Sequence, residues 1–337
     1  MSDTRRNFFH SAAAIAAGLG GAATLAAQAT PPQAPPQGAG RGFGQGQGPG
    51  QGQGRGGRGQ QPAGPPKPAS EVQVPKMKFG NIEISRLLCG CNEFYGFSHF
   101  NSTLDQVMVE YYTPERVCDV LHQCNRFGIN GFNFYSGGRG IPDFDAFLAE
   151  GGQMHLVVQG NIGDQTEFIK KYKPHAIYYQ GDQTDRAYHT GQMDTVKEWC
   201  KKMRDTGSMV GVGSHNPEVI ATVEEQNWDV DFYACCVYNR TRTNDEWAKV
   251  LGEERAEGEG YVRGDPPKMY KVIQATKKPC FAFKILAAGR VTNVEQAFRT
   301  AYQSIKPIDG VFIGLWPRVR DQVRENAERV HRLLTNS

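Results

Sequence analysis

The chain has 337 residues, and its 38 Lys and Arg against 35 Asp and Glu leave a formal net charge of +3. So small a surplus argues for no polyanionic partner, and no nucleic-acid binding is expected. Beyond one N-terminal run, no stretch approaches the roughly twenty apolar residues that cross a bilayer, so no stable membrane anchor is expected either.

Thr4-Arg5-Arg6-Asn7-Phe8-Phe9 precedes an Ala- and Gly-rich apolar run from Ala12 to Ala27. Ala27-Gln28-Ala29 then has the small-x-small spacing of a signal-peptidase site. Paired arginines ahead of two phenylalanines fit a twin-arginine signal over residues 1–29, which is an address and not an anchor. Read as a membrane helix instead, the run is poor in Leu, Ile and Phe. The expectation is a bacterial protein exported already folded, to the periplasm or beyond. Residues 30–70 are Pro, Gly and Gln with scattered arginines (Arg41, Arg55, Arg58). They hold too little apolar surface to offset the entropy of ordering, and a flexible linker is expected.

Residues 71–337 suit one large α/β domain. A short alternation around Gly80-Asn81 over residues 76–83 predicts a hairpin closing one end of the fold. The first core strand runs from Arg86 to Cys91, followed by Asn92-Glu93-Phe94-Tyr95 and a polar and aromatic segment to Tyr112. Thr113-Pro114-Glu115 starts a helix with Val117, Leu121, Cys124 and Phe127 on one face, stopped by Gly128. Strands then alternate with helices: strand 131–135 with helix 143–149, 155–159 with 164–173, and 176–180 with 193–204. The next pairs are 209–212 with a helix from Asn216, 231–238 with 268–277, 280–285 with 294–305, and 310–314 with 320–334. A charged excursion over residues 239–265 interrupts the sixth pair.

Eight strand–helix units in this order predict a (β/α)8 TIM barrel. An open doubly wound sheet would show a glycine-rich turn after its first strand, where this chain has Asn92-Glu93-Phe94-Tyr95. The eight cysteines sit in apolar strand-like or helical patterns, so buried free thiols are expected in place of disulfides. No spacing of His, Cys and carboxylates announces a metal site.

The stretch Met209 to Glu218 is the most informative. A β-branched strand breaks at Gly213-Ser214-His215, Asn216 is a good N-cap, and Pro217 fits the first helical position. Polar side chains at the carboxyl end of a barrel strand are where such folds keep their chemistry. His215 is the leading acid–base candidate, with Glu93 or Asp182 as its partner.

Phe79-Gly80-Asn81 through Cys91, Phe127-Gly128-Ile129-Asn130-Gly131-Phe132-Asn133 and Gly211 through Glu218 together resemble the aldo/keto reductase superfamily. So do Trp228 through Asn239, Lys284 through Gly289, and Gln322-Val323-Arg324-Glu325-Asn326, in order along the whole folded domain. The resemblance implies an aldo/keto reductase-like barrel and an NADP-dependent oxidoreductase acting on a small molecule. It places Ser214, Lys284, Arg318, Gln322, Glu325 and Asn326 on the cofactor, with Arg318 or Arg320 meeting the 2′-phosphate. The family's catalytic Asp, Tyr, Lys and His do not recur. Asn133 stands at the Asp position, Gly138 near the Tyr, Gln159 or Gly160 at the Lys, and Gln180 at the His. A carbonyl reductase needs a proton donor at the oxygen, so the active site would be non-standard, with His215, Glu93, Tyr135 and Gln180 as its residues.

The same strand ends support a rival expectation. Asn92, Glu93, Asn133, Gln159, Gln180 and Asp182, with Phe94, Tyr95 and Trp316 nearby, suit a carbohydrate-like ligand, since amides and carboxylates bond hydroxyls and aromatic faces stack on sugar carbons. On that reading the barrel binds or transforms its ligand without redox chemistry.

Overall fold

The computed structural model describes residues 65–161 and 165–335. The expected export signal, most of the expected linker and the expected helix start at Asp164 lie outside the described residues. The described chain opens with an antiparallel hairpin, β1 (Lys76–Phe79) and β2 (Ile82–Ser85). Gly80 turns it at φ +62°, a left-handed conformation that only glycine adopts at no steric cost.

Eight further strands follow: β3 (Leu87–Gly90), β4 (Gly131–Phe134), β5 (His155–Gly160), β6 (Ala176–Tyr179), β7 (Met209–Ser214), β8 (Phe232–Cys236), β9 (Cys280–Phe283) and β10 (Gly310–Ile313). All pair in parallel, in the order β10-β3-β4-β5-β6-β7-β8-β9, and the sheet closes on itself. The protein is therefore the expected (β/α)8 barrel. Inward-facing Leu88, Val157, Tyr178, Phe232, Phe281 and Phe312 fill its interior. The hairpin plugs its lower end, where the buried Phe79 ring meets Phe232 and Phe281 edge-on at 5.3 and 5.1 Å.

The outer layer is α2 (Pro114–Arg126), α3 (Gly140–Ala149), α4 (Thr166–Tyr172), α6 (Met193–Arg204), α7 (Pro217–Glu225), α9 (Asp265–Ala275), α10 (Val294–Ser304) and α11 (Gln322–Thr335). Sequence chemistry explains their starts. Thr113 caps α2 ahead of Pro114, and the Asn216 side chain accepts from Glu218 N at 3.1 Å to cap α7 ahead of Pro217. Three helices were not expected: α1 (Ser102–Tyr111), α5 (Gly181–His189) and α8 (Asn244–Leu251). Each buries only a narrow strip, so no apolar stripe marks it. Their caps were legible all the same: Asn101 accepts from Leu104 N, Gln180 from Gln183 N, and Thr243 forms a capping box with Glu246. All eight cysteines are buried free thiols.

Candidate functional site

Two adjoining cavities of about 290 and 250 Å3 open at the carboxyl ends of the strands, sharing Asn92, His99, Asn133, Phe283 and Lys284. The central one is ringed by Tyr135, Gln159, Gln180, Asp182, His215 and Arg240. The side arm runs between the ends of β3, β9 and β10, past Glu93, Leu286, Gly289 and Trp316 to Gln322. The structure thus brings Asn133, Gln159 and Gln180, each from a different strand end, round one space. Gly138 lines neither cavity.

His215 is held at the rim of β7. Its ring Nδ1 and its backbone N each lie 2.9 Å from the same Asp185 oxygen. Asp185 is fully buried in α5; it also accepts from Thr241 Oγ1 at 2.9 Å and from the Ser214 hydroxyl. On the far side of the ring, Nε2 faces Arg240 Nη1 at 3.3 Å. A guanidinium only donates and a carboxylate only accepts, so the proton belongs on Nδ1 and Nε2 is the acceptor. His215 therefore aims Arg240, and its own free lone pair is already engaged.

Arg240 continues the chain to Glu259, and Glu259 Oε1 lies 2.6 Å from His99 Nδ1. His99 Nε2 in turn meets the Asn92 amide nitrogen at 3.1 Å. This polar chain ties the loop after β3 to the excursion after β8 and roofs the mouth. Arg290 clamps the same two loops, stacking on Phe100 and Tyr261 and donating to His99 O at 3.1 Å. Burial alone would raise the Glu259 carboxyl; the His99 hydrogen bond and the charges of His99, Arg240 and Lys284 outweigh it and bring it down to about 2. The sequence reading singled out His215 but not Glu259, because nothing local in a charged excursion says which carboxylate turns inward.

Glu93 and Lys284 face the cavity differently. Glu93 Oε2 is buried with no hydrogen-bond partner, and burial, only partly offset by the residue's own backbone N–H and then by Lys284, pushes the carboxyl up to about 7. Gly314 makes its berth: a Cβ there would collide with the Glu93 carboxylate. Lys284 lines both cavities. Burial, and then the charge of Arg240, lower its amine to about 8.

The expected cofactor residues are placed less favourably. Ser214 is fully buried and bonds Asp185 and the Asn216 carbonyl. Glu325 pairs with Arg320 and Arg329, and the Asn326 oxygen accepts from Arg329 at 2.9 Å. Arg318 lies in a separate surface groove with Arg116 and Asp119. Gln322 and Lys284 do reach the side arm, although the Gln322 oxygen is taken by Trp316 N at 2.8 Å. Among the proposed catalytic residues, Tyr135 and Gln180 both line the central cavity. Gln180 is spent on capping α5 and on Asp182, 2.9 Å from its amide nitrogen.

No protein-family model matches the chain, and no curated protein matches it. Among solved structures it is similar to a protein assigned as an aldo-keto reductase from Pseudomonas aeruginosa, at 14% identity over 78% of this chain and 97% of that one, with a TM-score of 0.49. It is also similar to a truncated form of 3-deoxy-D-arabino-heptulosonate 7-phosphate synthase from Thermotoga maritima, at 11% identity over 79% and 94% of the two chains, with a TM-score of 0.43. At such identities the likeness concerns the barrel alone. The class defined by fold and site together is a (β/α)8 barrel with a roofed, polar mouth.

Proposed function

We propose that the mouth is an enzyme site that acts by proton transfer on a small, polyhydroxylated carbonyl compound, without a dinucleotide. One observation carries this reading. Glu93 and Lys284, two groups brought towards neutrality from opposite sides, stand on one cavity, and neither side chain makes an ion pair among the described residues. Groups that titrate near the working pH make effective acids and bases. Asn92, Asn133, Gln159 and Asp182 supply donors and acceptors for hydroxyls, and the Phe283 ring offers a face for sugar carbons.

A second reading, NADP-dependent reduction in the manner of the aldo/keto reductases, has the side arm in its favour, since it leads from Lys284 to Gln322. Against it, Ser214, Glu325 and Asn326 would each have to give up internal bonds to hold a dinucleotide. The readings separate by titration of the purified protein with NADPH, followed by fluorescence, and with aldoses and ketoses, followed by calorimetry. Sugar heat without NADPH binding is the expected result; tight NADPH binding with reduction of simple aldehydes would reverse the choice. We further propose export by the twin-arginine route, on the strength of Arg5-Arg6 and Ala27-Gln28-Ala29. Cell fractionation tests it, and protein retained in the cytoplasm would refute it.

A further inference from the structure

We propose that Lys284 is a covalent catalyst whose ε-amine condenses with the carbonyl carbon of the substrate to form a Schiff base. The inference rests on the carbonyl-compound reading above and names the atom that would do the work. Lys284 follows β9 directly, at the carboxyl end of the barrel, and lines both cavities. No ion pair or hydrogen bond of its ammonium is present among the described residues, although Glu93 and Glu259 are near enough to be felt electrostatically. A structural lysine in a polar mouth would be expected to pair with one of them.

The backbone is unusual as well. Lys284, Ala287 and Ala288 have φ of +60°, +48° and +50°, all left-handed and all side-chain-bearing. Such conformations are costly and gather at working sites. Burial and the nearby Arg240 guanidinium depress the amine to about 8, so that about a tenth of it is unprotonated at pH 7, far more than for an ordinary lysine. Arg240 is kept in place by His215 and Glu259, which gives the buried polar chain a purpose.

The step balances within the site. The neutral amine attacks the carbonyl carbon, the C–N bond forms, the C=O π pair moves to oxygen, and that oxygen takes the proton the nitrogen releases, giving a neutral carbinolamine. The nitrogen lone pair then expels that oxygen as water, with a proton supplied by Glu93, whose carboxyl at about 7 is poised to give and reclaim it. One carbonyl compound, one amine and one proton become one iminium and one water, with no change of oxidation state. The iminium then draws electrons from the adjacent C–H or C–C bond, which is the activation a proton-transfer or aldol-type reaction needs.

The test is reductive trapping on the whole purified chain, with glyceraldehyde, dihydroxyacetone and pyruvate as carbonyl probes and cyanoborohydride as the reductant. Peptide mass mapping then reads each lysine separately. Lys284 is expected to be labelled at least about tenfold faster than exposed Lys201, with a pH midpoint near 8, and Glu93→Gln should slow its labelling about tenfold. Labelling of Lys284 no faster than Lys201 overturns the proposal, and because this is read on the unmutated chain, no folding failure can obscure it. Calorimetry with a non-carbonyl polyol separates the two readings. Polyol binding without selective labelling removes the Schiff base and leaves the ligand site; selective labelling by pyruvate without polyol binding does the reverse.

Discussion

Asp185 grips His215 at two points with one oxygen, accepting from the ring Nδ1 and from the backbone N–H, each at 2.9 Å. The grip joins α5 to the end of β7, and Ser214 and Thr241 donate to the same carboxylate. Asp185→Ala would leave several buried donors without an acceptor, each costing about 1–3 kcal/mol. We expect a loss of about 3 kcal/mol in urea unfolding, seen as a lower midpoint at unchanged slope. A midpoint that stays put would show that this network contributes no stability.

His215→Ala tests what the imidazole does. Its Nε2 already meets Arg240, so its removal should unseat the guanidinium and leave the acid–base groups in place. Ligand affinity should fall by about 1–3 kcal/mol with turnover changed less than about tenfold. A hundredfold fall in turnover at constant affinity would make His215 the proton carrier, as the sequence reading had it.

Glu93 gives stability a pH signature of definite sign. Its carboxyl lies at about 7 in the folded protein against an ordinary 4.5, so between those values the folded chain holds the extra proton. Stability should therefore fall as pH rises from 4.5 to 7, by up to about 3 kcal/mol, and change no further from this group above 7. Glu93→Gln should flatten that slope and be more stable than the parent at pH 8, with little difference at pH 4.5. Thermal melts across this range decide it, and parallel profiles for the two proteins would contradict the burial described.

The start of the folded part can be cut and measured. Val72 and Val74 are buried in the core, Val74 N bonds Phe127 O at 3.0 Å, and His331 Nδ1 lies 2.8 Å from Gln73 O. Limited proteolysis should trim the chain to a stable product beginning near Glu71. Deleting through Val74 should lower its melting temperature by several degrees, since two buried valines contribute about 1.5–3 kcal/mol each. Equal stability of the shorter product would rule out a structural role for this segment.

Much of the barrel was legible because strands buried on both faces read as short apolar runs, and caps such as Thr113-Pro114 and Asn216-Pro217 mark where helices begin. The polar helices α5 and α8 were not, because tertiary placement and not an apolar stripe holds them. Strand-end position pointed Glu93, Gln180 and His215 at the mouth, since the carboxyl end of every barrel strand faces there.

What each of those residues does belongs to the tertiary structure. Ser214, Glu325 and Asn326 read in sequence as cofactor contacts, yet they are bound to Asp185 and Arg329, the Ser214 partner lying 29 positions away. Lys284 reads as a cofactor contact too; that its ammonium makes no ion pair among the described residues and that its backbone is left-handed are features only the structure shows. Alternation and capping act over a few residues, and the chain writes them locally. Charge and proton affinity are set by whatever surrounds a side chain in space, and Glu93, Arg240 and Lys284, which no local pattern links, meet only when the barrel closes.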